Sequence, residues 1–240
     1  MKFDELFPFS FRSLSRPSPP PYSLWSRCLS ISSQFCRAVV ESGYLSFDQM
    51  VDAAVRYRLG VTRQDGVIFW QIDQEERIHD GKVMYYRPDC HRDKQRNPTW
   101  VSALLRRRDP FPDSPHKTSH CFFGLHLLAA DSQKSVAIVE AEKTAFILSA
   151  LYPQHLWLAT GGLGEVQADK FRPLRGRKIV LFPDTDPEGT AYRRWYEAAQ
   201  LVMQQLFWED SPPIRVSPLL EQRATPEQKQ RKIDLVDFLF

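Results

Sequence analysis

Apolar and polar positions follow two different rhythms along this chain. From Lys134 onward, short continuous apolar runs alternate with longer helical patterns. Val136-Ala137-Ile138-Val139 and Ile179-Val180-Leu181-Phe182 have no polar interruption, the pattern of strands buried on both faces of a parallel sheet. Between and around them the pattern predicts a helix in "EKTAFILSALY", a strand in "LWLAT", a glycine turn in "GGLGE", a long helix in "TAYRRWYEAAQLVMQQLFW" and a strand in "IRVSPL". Such alternation predicts an α/β fold, a parallel sheet flanked by helices, over residues 131–240. The terminal "ATPEQKQRKIDLVDFLF" offers Thr225 as N-cap, Pro226 at the first helical position and Gln228 to close a capping box.

The first half is patterned otherwise. "SSQFCRAVVESGYL" predicts a short helix ended by Gly43. "SFDQMVDAAVRYRLG" predicts a second, with Ser46 and Gln49 as capping box, Gly60 as stop, and Phe47, Met50, Val51, Ala54 and Val55 on one apolar face. "GVIFWQID" and "GKVMYYR", joined by "QEERIHDG", predict two strands of a hairpin-like sheet. Residues 31–130 thus form a smaller α+β subdomain, preceded by a Pro/Ser-rich arm or linker at 1–30 ("SLSRPSPPPYS"); "RRRDPFPDSPHKTSH" is a further linker.

Composition narrows the picture. The chain has 240 residues, 42% of them hydrophobic, enough for an ordinary core without staples. Its net charge of +3 decides no partner, so the distribution of basic residues must. Cys28, Cys36, Cys90 and Cys121 form no CxxC pair, which speaks against a disulfide framework and a zinc ribbon. His116, His120 and Cys121 lack a fourth ligand at a standard spacing, so zinc is not expected. The acidic "MKFDELFPF" is unlike a signal peptide and no apolar run reaches the roughly 20 residues of a membrane span, so a cytoplasmic protein with no membrane partner is expected.

Both buried strands run straight into acids: Glu140 and Glu142 after the first, Asp184 and Asp186 after Pro183 in the second. The carboxyl ends of parallel strands are where ligands bind in open α/β sheets, and crowded carboxylates invite a divalent cation. A lone DxD arises by chance in surface turns; its conjunction with a strand-terminal Glu and an intervening glycine turn is the stronger signal. For Glu142, the helix dipole accounts for an acid as well as catalysis does.

The set "IVEAEKTA", "ATGGLG" and "LFPDTDPEG" resembles a toprim domain. With "YRLGV", "GVIFWQID", "GKVMYYR" and "CFFGLHLL" ahead of it and "KIDLVDFL" behind, residues 47 to 240 resemble the catalytic core of DnaG-type bacterial primases, closest to primase-like toprim proteins of mobile elements. Two departures stand out: no zinc-ribbon pattern precedes the core, and Thr144 stands where many primases place another acid. The resemblance implies a nucleotidyltransferase that primes on single-stranded DNA, with nucleotides as substrates, Mg²⁺ or Mn²⁺ as cofactor and a replicative helicase as partner. It implies that Asp184 and Asp186 hold metal, that Glu140 acts as base or further ligand, and that Asp234 completes the cluster. A toprim nuclease or a non-catalytic replication or recombination scaffold remains an alternative; a topoisomerase would need more chain. Nucleic acid would be drawn by a basic track, for which Arg58, Lys82, Arg87, Arg92, Lys94, Arg96 and Lys143 are the candidates, with Arg56, His91 and Arg106 to Arg108 nearby. Trp70, Tyr85 and Tyr86 suit the core better than base stacking.

Overall fold

The computed structural model describes residues 31–106, 120–206 and 211–240. The arm at 1–30 with Cys28, most of the linker after Leu105, and Arg107, Arg108 and His116 lie outside the described residues.

The first helix, α1 (Gln34–Glu41), is capped by Ser33, whose hydroxyl accepts from the Cys36 amide, and Gly43 follows it in the left-handed conformation. In α2 (Phe47–Arg56) the expected capping box between Ser46 and Gln49 is present. Its buried face differs from the expected one. Met50, Ala53 and Ala54 are buried, whereas Phe47 and Val55 are exposed. The small alanines let α2 come close to the helix that follows the first parallel strand, and this close approach rotates the apolar stripe away from the two bulkier residues. The helix also ends before Gly60, at Arg56, because Arg58 takes a positive φ and Gly60 opens a strand.

Four strands then form an antiparallel sheet in chain order: β1 (Gly60–Val61), β2 (Val67–Ile72), β3 (Ile78–Met84) and β4 (Thr99–Trp100), followed by α3 (Val101–Arg106). The hairpin β2–β3 is as expected, but β3 begins at Ile78, inside the segment expected to connect the strands. Asp73 closes the turn by accepting from the Glu75 and Arg77 amides.

After a 3₁₀ turn at Leu125–Ala130 comes the parallel sheet. Its strands are β5 (Val136–Val139), β6 (Leu156–Ala159), β7 (Ile179–Phe182) and β8 (Arg215–Val216), in the order β6-β5-β7-β8 and all parallel. Helices α4 (Glu142–Leu151), α5 (Ala168–Phe171) and α6 (Thr190–Leu206) connect them, and α7 (Leu219–Arg223), α8 (Pro226–Gln230) and α9 (Leu235–Leu239) complete the chain. The terminal segment is two helices, since Lys232 turns with positive φ and Asp234 starts α9 as a new N-cap. Among the described residues no helix is long and apolar enough to cross a membrane.

Both faces of β5 are buried, as its uninterrupted apolar run requires. Ala137 and Val139 enter one core with Phe146 and Trp157, and Val136 and Ile138 enter the other with Phe171 and Trp195. The first core is continuous with the antiparallel unit: Phe35, Tyr57, Phe69 and Phe123 belong to it, with Phe35 and Phe146 edge to face at 5.3 Å. Tyr57 stacks on Phe123 at 4.9 Å, and its hydroxyl donates to the Trp157 carbonyl at 2.7 Å, so the two sheets share buried contacts across residue 130. This contact also explains why Gly124 must be glycine: at φ +84 an added Cβ would lie 2.8 Å from the Tyr57 ring.

Tyr57→Phe keeps the ring and removes the bond across this seam. Loss of a buried hydrogen bond should lower the unfolding free energy by about 1–2 kcal/mol in urea titration. An unchanged midpoint would show that the bond contributes nothing to joining the sheets.

Candidate active site

Strands β5 and β7 are neighbours in register, Val139 opposite Phe182, so Glu140 and Asp184 emerge side by side at the carboxyl edge of the sheet. The Thr185 amide donates to the Ile233 carbonyl at 3.1 Å, which draws the residues before α9 to the same edge. Asp184 therefore faces Asp234, Glu140 and Asp237. Burial raises its pKa well above the ordinary carboxylate range, the three acids push it higher, and Lys143 opposes them. Among the described residues no donor hydrogen-bonds to the Asp184 carboxylate. Burial also raises Glu140; Lys82 and the Leu163 backbone amide oppose the rise, while Glu142 and Asp234 add to it.

The other two expected ligands have different surroundings. Asp186 accepts from the backbone amides of Glu188 (3.1 Å), Thr190 (3.0 Å) and Ala191 (2.7 Å), so it satisfies the turn before α6 and the helix's first free amides. Burial alone would raise its pKa, but these donors outweigh burial and lower it. Both its oxygens are engaged, so the structure places Asp186 with the helix start and not with the acidic group. Asp234 accepts from the Thr144 hydroxyl and, through Oδ1, from the Asp237 amide at 2.8 Å. Lys143 lies 3.7 Å from Asp234 and 3.6 Å from Asp237. Burial disfavours the Lys143 charge, yet the two acids hold its pKa above the usual lysine value.

Opposite this edge stands the antiparallel sheet, and a cleft of about 480 Å³ lies between them. One wall is Lys82, Met84, Tyr86, His91, Arg92 and Pro98; the other is Glu140, Ala141, Glu142, Lys143, Gly161 and Gly162. Of the residues expected to draw nucleic acid, Lys82, Arg92 and Lys143 line the cleft. Only Arg92 has an exposed charge there, because Lys82 donates to Glu142 Oε2 (3.2 Å) and the Gly161 carbonyl (2.8 Å). The loop carrying Arg92 folds back through the pairing of Tyr86 with Arg92 and the bond from the Arg87 amide to the His91 carbonyl. Lys94 is exposed on the same loop. Arg96 lies 3.4 Å from the Tyr85 ring centroid, Arg87 pairs with Asp89, Arg58 pairs with Glu76, and Arg56 donates to Ser149. His120 packs against Trp100 in a tilted contact beside Asp80, and Cys121 is buried.

Sequence reasoning did not identify the Lys82–Glu142 pair, whose members are sixty positions apart, or Asp237 as a neighbour of Asp184. The spacing of Asp234 and Asp237, three residues on a short helix, was the available signal for the second.

Among the described residues no three His, Cys, Asp or Glu side chains are disposed as a ready ligand set. A hard cation of the Mg²⁺ type binds through one or two carboxylates, taking its remaining oxygens from water and substrate phosphates. Glu140 and Asp184, all-oxygen donors under mutual repulsion with Asp184 lacking a donor, fit that description. Asp186 does not.

An acid whose folded pKa is raised binds its proton more tightly when folded, so stability is greatest below its ordinary pKa and falls as pH rises toward the raised value. Asp184→Asn removes that cost. In chelator near neutral pH the variant should melt higher than wild type by about 2–4 °C, on the order of 1 kcal/mol, and the gap should close as pH falls. A variant no more stable than wild type would show that Asp184 carries no such repulsion.

Residues 33–185, from the cap of α1 to the residue after Asp184, match the model of DUF6371, a domain of unknown function. No curated protein matches the chain. Among solved structures, the primase fragment of the bacteriophage T7 primase-helicase protein is similar at a TM-score of 0.48 and 18% identity, over 86% of this chain and 73% of that one. Because the family match spans α1, α2, both walls of the cleft and the Glu140–Asp184 edge, the chain belongs to the DUF6371 family.

Proposed function

We propose that this protein is a primase-like nucleotidyltransferase that joins nucleotides on single-stranded DNA with Mg²⁺ or Mn²⁺, in the replication of a mobile element. The observation that carries the reading is the cleft itself: a carboxylate edge, with Glu140 and Glu142 in the lining and Asp184 beside Glu140 behind them, faces a wall that presents Arg92, His91 and Tyr86. The motif resemblance of the glycine turn and strand-terminal acids to toprim primases agrees with it.

When bound, the divalent ion would neutralise phosphate charge and favour in-line displacement at phosphorus. Glu140 and Asp184 would hold it. A glutamate with a raised pKa is also suited to take the proton of an attacking hydroxyl near neutral pH, so Glu140 serves as base or ligand. Asp186 supports the reaction by starting α6 next to the metal edge. Arg92 and Lys94 draw the phosphate backbone, and a replicative helicase would supply the single strand.

The direct test is incubation of the protein with single-stranded template, labelled nucleotides and Mn²⁺. Extension is expected, and Glu140→Gln or Asp184→Asn should reduce it by at least about a hundredfold. Template degradation would establish a nuclease instead, and neither product would leave a scaffold. Arg92→Ala with Lys94→Ala should weaken single-strand binding and reduce the slope of log K against log salt by about 1.4, roughly 0.7 per lost phosphate contact. An unchanged slope would place the nucleic-acid track elsewhere.

A further inference from the structure

Lys82 sits on β3 of the antiparallel sheet, yet its ammonium bonds to the other wall. Its ammonium is 3.1 Å from Glu142 Oε1, with side chains only 15% and 3% exposed, and it donates to the Gly161 carbonyl at 2.8 Å. Gly161 in turn donates its amide to the Glu140 carbonyl at 2.9 Å, and Thr160 donates its hydroxyl to the Gly162 carbonyl at 2.9 Å. The same turn brings the Leu163 amide to the Glu140 carboxylate. At φ +84, Gly161 also leaves the space that the ion pair occupies: a Cβ there would meet Glu142 Oε1 at 3.1 Å and Lys82 Nζ at 3.7 Å. A lysine that only attracted phosphate would hold its head in solvent. This one is spent on a carboxylate and a carbonyl.

We infer that Lys82 is a positioning residue, a clasp between the two sheets that sets the glycine turn and through it the orientation of the Glu140 carboxylate. The inference rests on the reading of Glu140 as a metal-holding acid. It differs from the expectation for Lys82 as a nucleic-acid contact, and the two make opposite predictions.

The full chain, freed of metal, is titrated with Mn²⁺ by electron paramagnetic resonance, and single-strand affinity is measured across salt. Lys82→Met should weaken Mn²⁺ binding by at least about fivefold, leave the salt slope of DNA binding unchanged, and speed amide hydrogen exchange over residues 160–164. A slope lower by about 0.7 with intact Mn²⁺ affinity would overturn the inference, since that is the signature of one lost phosphate contact. Gly161→Ala keeps both charges and should reproduce the Mn²⁺ loss and the faster exchange; wild-type values in this variant would also overturn it. Should Lys82→Met fail to fold, Gly161→Ala decides alone. Wild-type protein that binds no Mn²⁺ would instead refute the metal reading, while the exchange measurement would still decide whether Lys82 holds the turn.

Discussion

Carboxylates crowded at the ends of two parallel strands impose the main constraint on this structure. Five acids, Glu140, Glu142, Asp184, Asp234 and Asp237, gather near one sheet edge where burial strengthens every repulsion. The fold meets most of that cost locally, and each remedy fixes a part of the architecture. Glu142 takes Lys82 from the opposite sheet, which spans the cleft. Asp234 and Asp237 take Lys143, which seats α9 on the head of α4. Glu140 receives the Leu163 amide, which ties it to the glycine turn. Asp184 receives neither a hydrogen bond nor an ion pair within 4 Å among the described residues, and under the proposed reading that imbalance is what suits the edge to a cation.

A cleft between two sheets is useful only if its walls keep their spacing. Here they do so through a common core. Phe35 packs against Phe69 of one sheet and Phe146 beneath the other, and Tyr57 reaches the Trp157 carbonyl. Rigid aromatic contacts of this kind add to the area they bury and resist shear. The Lys82 clasp between the walls thus acts on elements already held by apolar packing, so its charge can tune the turn without having to carry the assembly.

Much of the framework was legible in the sequence because it is encoded locally. Uninterrupted apolar runs marked β5 and β7, and Ser-x-x-Gln and Thr-x-x-Gln marked the starts of α2 and α8. The site was legible less completely. The DxDxxG stretch reads as two equivalent ligands, but the turn at Gly189 brings three amides back onto Asp186 and leaves Asp184 facing the acids. An Asp in a turn just ahead of a helix can instead satisfy the helix's first free amides, a use that competes with the metal reading of the same letters. The Lys82–Glu142 contact could not be read from spacing, since it depends on how two sheets pack. For α2, periodicity identified the helix and rotated its buried face wrongly, because the partner helix, not the stripe of larger residues, decides which side is covered.

Lys143 shows how attraction and chemistry are separated in this cleft. It stands in the first turn of α4, where the helix dipole disfavours a cation by about 0.3–1 kcal/mol at an exposed site. It is buried as well, and Asp234 and Asp237 do most to make its charge tolerable. Lys143 and Lys82 are therefore both neutralised by acids of the same edge, and neither has charge to spare for long-range attraction. The charges that stay exposed are those of Arg92 and Lys94, carried on a loop pinned by the Tyr86–Arg92 pairing, and under the proposed reading the task of attraction passes to them. Under the proposed reading the buried lysines orient acids and the exposed Arg92 and Lys94 meet phosphate, so substituting one class should leave the role of the other largely intact.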